Sequence, residues 1–576
     1  MGLQVKSARP PRERGIPAFF QRPVLRPFIL LVLIVLAFVI GDSWGVRKLA
    51  NPDEGRYSEI SREMAESGDF VTPRLNDLKY FEKPPLQYWA TALAFRWFGQ
   101  SDFTARLYTT LCGLGCLCLI FFTARRLFDG ETAAYALMAL AGAPYFMTMA
   151  HVITLDTGLT FWLTLAICAY LVAQSVHTAH DVGARRRWML IAWVGMAGAV
   201  LSKGLIGIVF PAAALGAYAV YKRDWRRLID LEWLRGLVLF FALTAPWFVL
   251  VSWRNPEFAH FFFIHEHVER FLTTTHHREG PWWYFFPILF AGFMPWAIAL
   301  IPAIGRAIVA HGPVMGSSKP FSPLLFVVFY ALFIFAFFSK SGSKLPHYIM
   351  PLFPVLALVL GAYLQRTRPL LLAWMILPTI GLGIAAANFA WDYPASREDE
   401  VTRRLYEAFS PWLIGAMALI VGVTLAGTAL LFRHRKWAGL VVVSMGCLIA
   451  VKLINRGYDE ISPLKSAYAL SQSIGPKLTP DTRLYTVRNY EQSLPFYLKR
   501  TLTMVDYVDE FELGQRQEPQ KYIPNLALFR SAWEAPGPAI AIIAPGDIEE
   551  LRKMGFMFEL IHQDPVRLAI LKKQKT

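Results

Sequence analysis

The sequence predicts a polytopic α-helical membrane protein of about thirteen transmembrane helices, followed by a small α/β domain. Three observations carry this reading. Of 576 residues, 55% are hydrophobic and only 17% charged, with a mean hydropathy of +0.37, whereas soluble domains carry about 25% charged residues. Apolar runs of roughly 20 residues recur along the chain, the length that crosses about 30 Å of hydrocarbon at 1.5 Å per residue. Finally, every second loop between these runs is short and basic. The 58 Lys and Arg against 42 Asp and Glu give a net charge of +16. On a hydrophobic chain that excess reflects the rule that keeps basic loops in the cytoplasm, not a nucleic-acid surface.

The first apolar run, 28–45, follows a tail holding Lys6, Arg9, Arg12, Arg14, Arg22 and Arg26. It lacks the short core and small-residue cleavage site of a signal peptide, so it reads as an uncleaved span with a cytoplasmic N-terminus. Further spans are expected at 103–123, 132–150, 155–176, 188–201, 205–221, 236–253, 284–304, 321–338, 349–364, 370–388, 411–432 and 437–453. The inward loops hold Arg125-Arg126, Arg185-Arg186-Arg187, Lys222-Arg223, Arg366 with Arg368, and Arg433 with Arg435-Lys436. An odd number of spans then puts the C-terminus on the opposite side of the membrane. Cys112, Cys116, Cys118, Cys168 and Cys447 all lie in apolar runs and suggest neither a disulfide scaffold nor a zinc motif.

This divides the chain into a transmembrane domain, 1–453, with outer loops at 46–102 and 254–283, and a domain on the outer side, 454–576. Within the first loop, 86–98 is amphipathic and is expected to lie along the membrane interface. In the second domain, β-type runs at 483–487, 501–508, 539–543, 556–561 and 568–571 alternate with helical patterns at 463–474 and 547–554.

The polar chemistry gathers on the outer face. The first loop opens Asn51-Pro52-Asp53-Glu54-Gly55-Arg56-Tyr57 and continues to Tyr80-Phe81-Glu82-Lys83-Pro84-Pro85. Acidic side chains at a membrane face are costly unless hydrated, paired or functional. Asp53 also fits as the cap of a helix starting at Glu54, and Asp156 as the cap of the fourth span. Three further outer segments are Ser202-Lys203-Gly204, Glu266-His267-Val268-Glu269-Arg270-Phe271, and Lys344-Leu345-Pro346-His347-Tyr348-Ile349-Met350-Pro351.

Together these four segments resemble the bacterial 4-amino-4-deoxy-L-arabinose lipid A transferases, relatives of the protein O-mannosyltransferases. The resemblance runs along the whole chain. It implies a bacterial inner membrane, with the 454–576 domain in the periplasm. It further implies the type C glycosyltransferase fold, an undecaprenyl phosphate-linked sugar donor, a lipid A phosphate acceptor and an inverting transfer that lowers sensitivity to polymyxin and other cationic peptides. Nucleic acid is not a partner, and a monomer is expected. In this reading Asp53 is the catalytic residue. It acts as a general base toward a hydroxyl acceptor; toward an anionic phosphate, which needs no base, it orients the acceptor or binds the sugar's ammonium. Lys83, Lys203, Arg270 and Arg56 are cations to hold the leaving phosphate, Arg56 alternatively orienting Asp53. Asp156 is a second acidic candidate, and Tyr57, Tyr80 and Tyr348 are hydrogen-bond donors or members of an interfacial aromatic belt. Glu82 and His267 form a candidate pair for a divalent metal, zinc favoured; His265, His276 and His277 crowd the same loop.

Two other readings stay open at this point. One is a polyprenyl-phosphate-sugar transferase acting on protein Ser/Thr or another envelope acceptor. The other is a lipid-linked sugar transporter, which should carry charges near the bilayer midplane and inverted repeats. No repeat is visible, and Lys203 and Lys452 are the charges nearest to span interiors.

Overall fold

The computed structural model describes residues 25–39, 47–269, 280–310 and 321–573, and for 176, 226 and 266–269 the backbone alone. Arg270, His276, His277 and the basic N-terminal tail before Arg26 lie outside the described residues, and the side chain of His267 does too.

Seven helices are long and apolar enough to cross a membrane: Asp102–Leu127, Leu155–Ala173, Trp233–Arg254, Pro323–Lys340, Pro369–Asp392, Glu400–Phe432 and Lys436–Lys465. A pair bent by 103°, Phe285–Gly292 and Ala297–Val309, raises the number to as many as eight among the described residues. Shorter apolar helices occupy Arg26–Val39, Ile206–Lys222 and Leu352–Arg366. The two remaining expected spans fall on Gly130–Ala141 with Pro144–Met149, broken where Gly142 and Ala143 precede a proline, and on Val182–Lys203. Each expected span thus meets a helix or a broken pair, while length and composition establish seven or eight.

Small residues let the central helices approach closely. The run from Ala133 to Ala141 is buried throughout, and a Cβ added at Gly361 would lie 2.6 Å from the Ala136 side chain. In helices Trp233–Arg254 and Glu400–Phe432 only 28% of the most apolar stretch is buried, as expected of helices that face lipid.

The sidedness of the bundle follows from where its charges sit. Helix Val182–Lys203 carries Arg185, Arg186 and Arg187 at one end and Lys203 at the other. It stops where Gly204, at φ +82°, adopts a conformation open mainly to glycine. Helix Leu155–Ala173 holds Asp156 in the first turn at the Lys203 end.

After the bundle a six-stranded mixed sheet forms. Counting the short hairpin β1 (Arg74–Leu75) and β2 (Leu78–Lys79), its strands are β3 (Arg483–Val487), β4 (Thr503–Val505), β5 (Tyr522–Ile523), β6 (Ala539–Ile543), β7 (Phe558–Gln563) and β8 (Leu568–Lys572). The order is β5-β4-β3-β6-β8-β7, parallel from β5 to β6 and antiparallel through β8 and β7. Strand alternation sends Tyr485, Val487, Ala541 and Ile543 to one face, against helix Leu526–Glu534. The other face, with Leu484, Met504, Ile540 and Ile542, shares one core with Tyr57, Ile60 and Met64 of helix Asp53–Ser67 and with Tyr88 and Phe95 of helix Leu86–Phe98. The segment 47–102 and the terminal domain therefore share one core.

Candidate active site

Helix Asp53–Ser67 begins one residue earlier than the sequence suggests, so Asp53 lies in its first turn and makes no side-chain cap. Asp156 likewise falls inside the first turn of its helix, behind Thr154. Neither acid is spent on capping.

The adjacent acids Asp53 and Glu54 diverge completely. Glu54 points inward, where Arg47 grips both of its oxygens at 2.7 Å and Arg106 both at 2.9 Å. Backbone N–H groups of Ala50 and Ile153 add bonds of 2.9 and 3.1 Å. Burial alone would push this carboxyl up, but the two guanidiniums hold it well below the usual carboxylate range. The node ties the loop to helix Asp102–Leu127 and to the segment just ahead of helix Leu155–Ala173, because Arg106 also donates to the carbonyls of Arg47 and Lys48, and Arg47 to that of His151.

Asp53 faces the other way, into a cavity of ≈ 980 Å³ between the ends of the membrane helices and the terminal domain. Arg56, Tyr57, Glu82 and Lys83 line it from the same loop, and Asp156, Lys203 and Tyr348 from the helix ends. Tyr80 is buried behind this wall rather than in it, with a hydroxyl that meets no hydrogen-bond partner among the described residues. Burial and the nearby Glu82 push its phenol well above the ordinary range. Nε of Arg56 is a second buried polar atom without a partner among the described residues.

The cations differ in how they are held. Lys203 donates to both oxygens of Asp156, at 2.6 and 2.7 Å, and stands 4.5 Å over the ring of Tyr348. His347 joins this pair, Nε2 lying 3.6 Å from Asp156. Lys83 donates to the carbonyl of Glu82 at 2.8 Å, with the Glu82 carboxylate 3.6 Å away. Arg56 sits 3.6 Å from Asp53 and donates to Glu510 at 3.0 Å.

Among the described residues, no group of three or more His, Cys, Asp and Glu could hold a metal. Glu82 is in the cavity wall beside Lys83, and the geometry of its suggested partner His267 lies outside the described residues.

Sequence reasoning missed the contribution of the terminal domain. Glu491, Gln492, Glu510 and Arg567 all line the cavity. Asn51 donates to Glu491 at 2.7 Å and accepts from the Ser493 N–H at 2.9 Å. Gly55 is required at this junction, since a Cβ there would lie 2.5 Å from the Ser493 backbone nitrogen. The absence of a side chain in the Asp-Glu-Gly run was the available signal for so close an approach.

Known proteins agree with this architecture. Residues 26–262 match the model of the dolichyl-phosphate-mannose-protein mannosyltransferase family, and residues 470–572 that of the aminoarabinose transferase C-terminal domain. The fold is shared with the Archaeoglobus fulgidus oligosaccharyltransferase, at 11% identity and a TM-score of 0.52 over 97% of this chain and 75% of that one. ArnT from Cupriavidus metallidurans, crystallised with undecaprenyl phosphate, is 34% identical with a TM-score of 0.88, covering 95% of this chain and 98% of that one. The undecaprenyl phosphate-alpha-4-amino-4-deoxy-L-arabinose arabinosyl transferase of Pseudomonas paraeruginosa is 32% identical over 405 residues, 68% of this chain and 69% of the relative.

Bundle, cavity and terminal domain define a multi-pass membrane glycosyltransferase of the type C fold. Its sequence likeness extends through both the membrane body and the terminal domain. The chain belongs to the undecaprenyl phosphate-aminoarabinose arabinosyltransferase family.

Proposed function

We propose that the protein transfers 4-amino-4-deoxy-L-arabinose from undecaprenyl phosphate to the phosphates of lipid A. The cavity then opens to the periplasm of a bacterial inner membrane, with the N-terminus cytoplasmic and the terminal domain periplasmic. One observation carries the reading: Asp53, Arg56, Lys83, Asp156, Lys203 and Tyr348, from separate segments, converge on one cavity at the helix ends. That cavity belongs to a chain closely similar to a protein crystallised with the carrier lipid.

In the proposed reaction an acceptor phosphate oxygen attacks the anomeric carbon while the bond to the carrier phosphate breaks on the opposite face. Negative charge grows on the departing undecaprenyl phosphate, and fixed cations in a low-dielectric pocket lower that barrier. Arg56 and Lys83 take this role, Arg56 offering a planar fork and Lys83 a point charge. Arg270 is proposed with them. Lys203 is charge-balanced by Asp156 and, with His347 and Tyr348, shapes the opposite wall. Because the acceptor is already anionic, Asp53 orients it or pairs with the sugar's ammonium rather than removing a proton. Tyr57, in the cavity wall, donates a hydrogen bond to a donor oxygen, whereas Tyr80, set behind that wall, does not reach it. A metal enters the proposal only as the pair Glu82 and His267, with no step routed through it; activity lost to EDTA and restored by zinc would support that pair.

An amino sugar on a lipid A phosphate reduces the negative charge of the envelope, and with it the attraction of polymyxin and other cationic peptides. Mass spectrometry of lipid A from cells with and without the protein tests donor and acceptor together. The expected result is one aminopentose added per modified phosphate, only when the protein is present. Sugar label recovered on Ser/Thr peptides with lipid A unchanged would support a protein acceptor instead.

A further inference from the structure

Arg56 is the donor-facing cation whose setting is least explained by its own loop. Its neighbour Asp53 is 3.6 Å away, too far for a hydrogen bond. The short contact comes from a residue 454 positions along the chain: Nη2 donates to Oε1 of Glu510 at 3.0 Å. Glu510 is itself steadied by the side-chain amide of Gln492, which donates to the same oxygen. Both residues line the cavity, and Glu510 is 8% exposed against 12% for Arg56, so the pair is shielded from most of the solvent.

A long cation held from one side in a shielded pocket loses most of its rotamer freedom before the ligand arrives, and that preorganisation strengthens binding of the next anion. The remaining Nη donors of the guanidinium, which lines the cavity, are left for that anion.

We propose that Glu510, braced by Gln492, is a positioning residue that aims Arg56 at the donor phosphate, so that the terminal domain completes the donor site. This rests on the reading of Arg56 as a phosphate-holding cation. Glu510 acts through Arg56 and does not itself touch the sugar or the reacting atoms. The terminal domain thus has a task beyond covering the membrane body: without it, Arg56 keeps its charge but not its direction.

A double-mutant cycle on the full-length protein in detergent tests this, using an undecaprenyl phosphate-aminoarabinose donor and lipid A acceptor. Glu510→Ala is expected to raise the donor KM about tenfold while kcat stays within about twofold, at unchanged abundance and Tm. Glu510→Gln keeps an oxygen acceptor for Arg56 and should restore most of the loss. In Arg56→Ala, adding Glu510→Ala should cause no further rise. Independent, multiplying effects of the two changes would overturn the proposal, since Glu510 would then contact substrate by itself. A normal KM in Glu510→Ala, or a loss that merely follows abundance or Tm, would also overturn it. A normal donor KM in Arg56→Ala would instead remove the reading of Arg56 on which this proposal stands.

Discussion

The carboxylate of Glu54 is 1% exposed and takes six hydrogen bonds from the described residues, four of them from Arg47 and Arg106. The carboxylate of Asp53, one residue earlier, is 30% exposed and faces a cavity, with the Arg56 guanidinium 3.6 Å away. One region is a closed ionic node that ties a loop to the membrane bundle. The other is an open, ligand-sized space bounded by charges from both ends of the chain. A carboxylate in a closed node has no lone pair to offer a substrate, and one in an open cavity adds little to stability. The comparison teaches that residence in the same motif does not imply the same work, and that burial and partners separate the roles.

The largest expected effect comes from the node. Glu54→Ala would leave two guanidiniums buried without their counter-charge, a loss of about 3–5 kcal/mol for broken buried pairs. Little protein should survive detergent extraction, and thermal unfolding of the remainder should begin at much lower temperature. Normal abundance and Tm in this variant would erase the distinction between the two regions.

Asp53→Asn should give the inverse pattern. Volume and hydrogen-bonding capacity are nearly kept and no cap is lost, so abundance and Tm stay at the wild-type level. Sugar transfer per folded molecule should fall by at least ~10²-fold, a usual cost of removing one well-placed charged group from a reaction site.

Smaller, and directed at the seam between the regions, is Gly55→Ala. The added Cβ meets backbone at Ser493 rather than a side chain that could rotate away. An overpacking cost of about 1–3 kcal/mol is expected, seen as faster limited proteolysis of the terminal domain and a modest fall in transfer.

The mildest effect is a pH dependence. Burial pushes the Glu510 carboxyl up to about 7, Arg56 opposing and Asp509 and Glu82 adding to the rise. Above that pH Glu510 is ionised and pairs with Arg56; below it the carboxyl takes a proton and the ion pair is lost. The protonated carboxyl still offers Arg56 an oxygen, as Gln does, so wild-type donor KM should rise only about twofold between pH 8 and pH 6, and Glu510→Gln should show none of this change. A flat wild-type profile would break the link between Glu510 charge and donor binding.

Much of the cavity was legible because its residues sit in short polar segments directly beside apolar runs. Asp53, Arg56, Tyr57, Glu82 and Lys83 share one loop, while Asp156, Lys203 and Tyr348 mark span ends on the same predicted face. Spans and strands were visible for a related reason, since hydrophobic length and two-residue alternation are local properties. β3 and β6 match their expected limits, and helix Leu86–Phe98 spans the stretch that reads as amphipathic. What stayed hidden was non-local. The partner that closes the Glu54 node, Arg106, is 52 residues away, and the contact of Arg56 with Glu510 spans 454. No periodicity encodes such pairings. Helix Leu526–Glu534 was also missed, being short and set between strands in a domain whose alternation drew attention to β-type runs.

Asp53 serves the proposed reaction while its neighbour Glu54 serves the fold. Single-turnover transfer from undecaprenyl phosphate-aminoarabinose to lipid A, measured on purified Asp53→Asn and scaled to folded protein, tests this most directly. At saturating donor, the transfer step is expected to be slowed at least ~10²-fold. Transfer at the wild-type rate per folded molecule would contradict it.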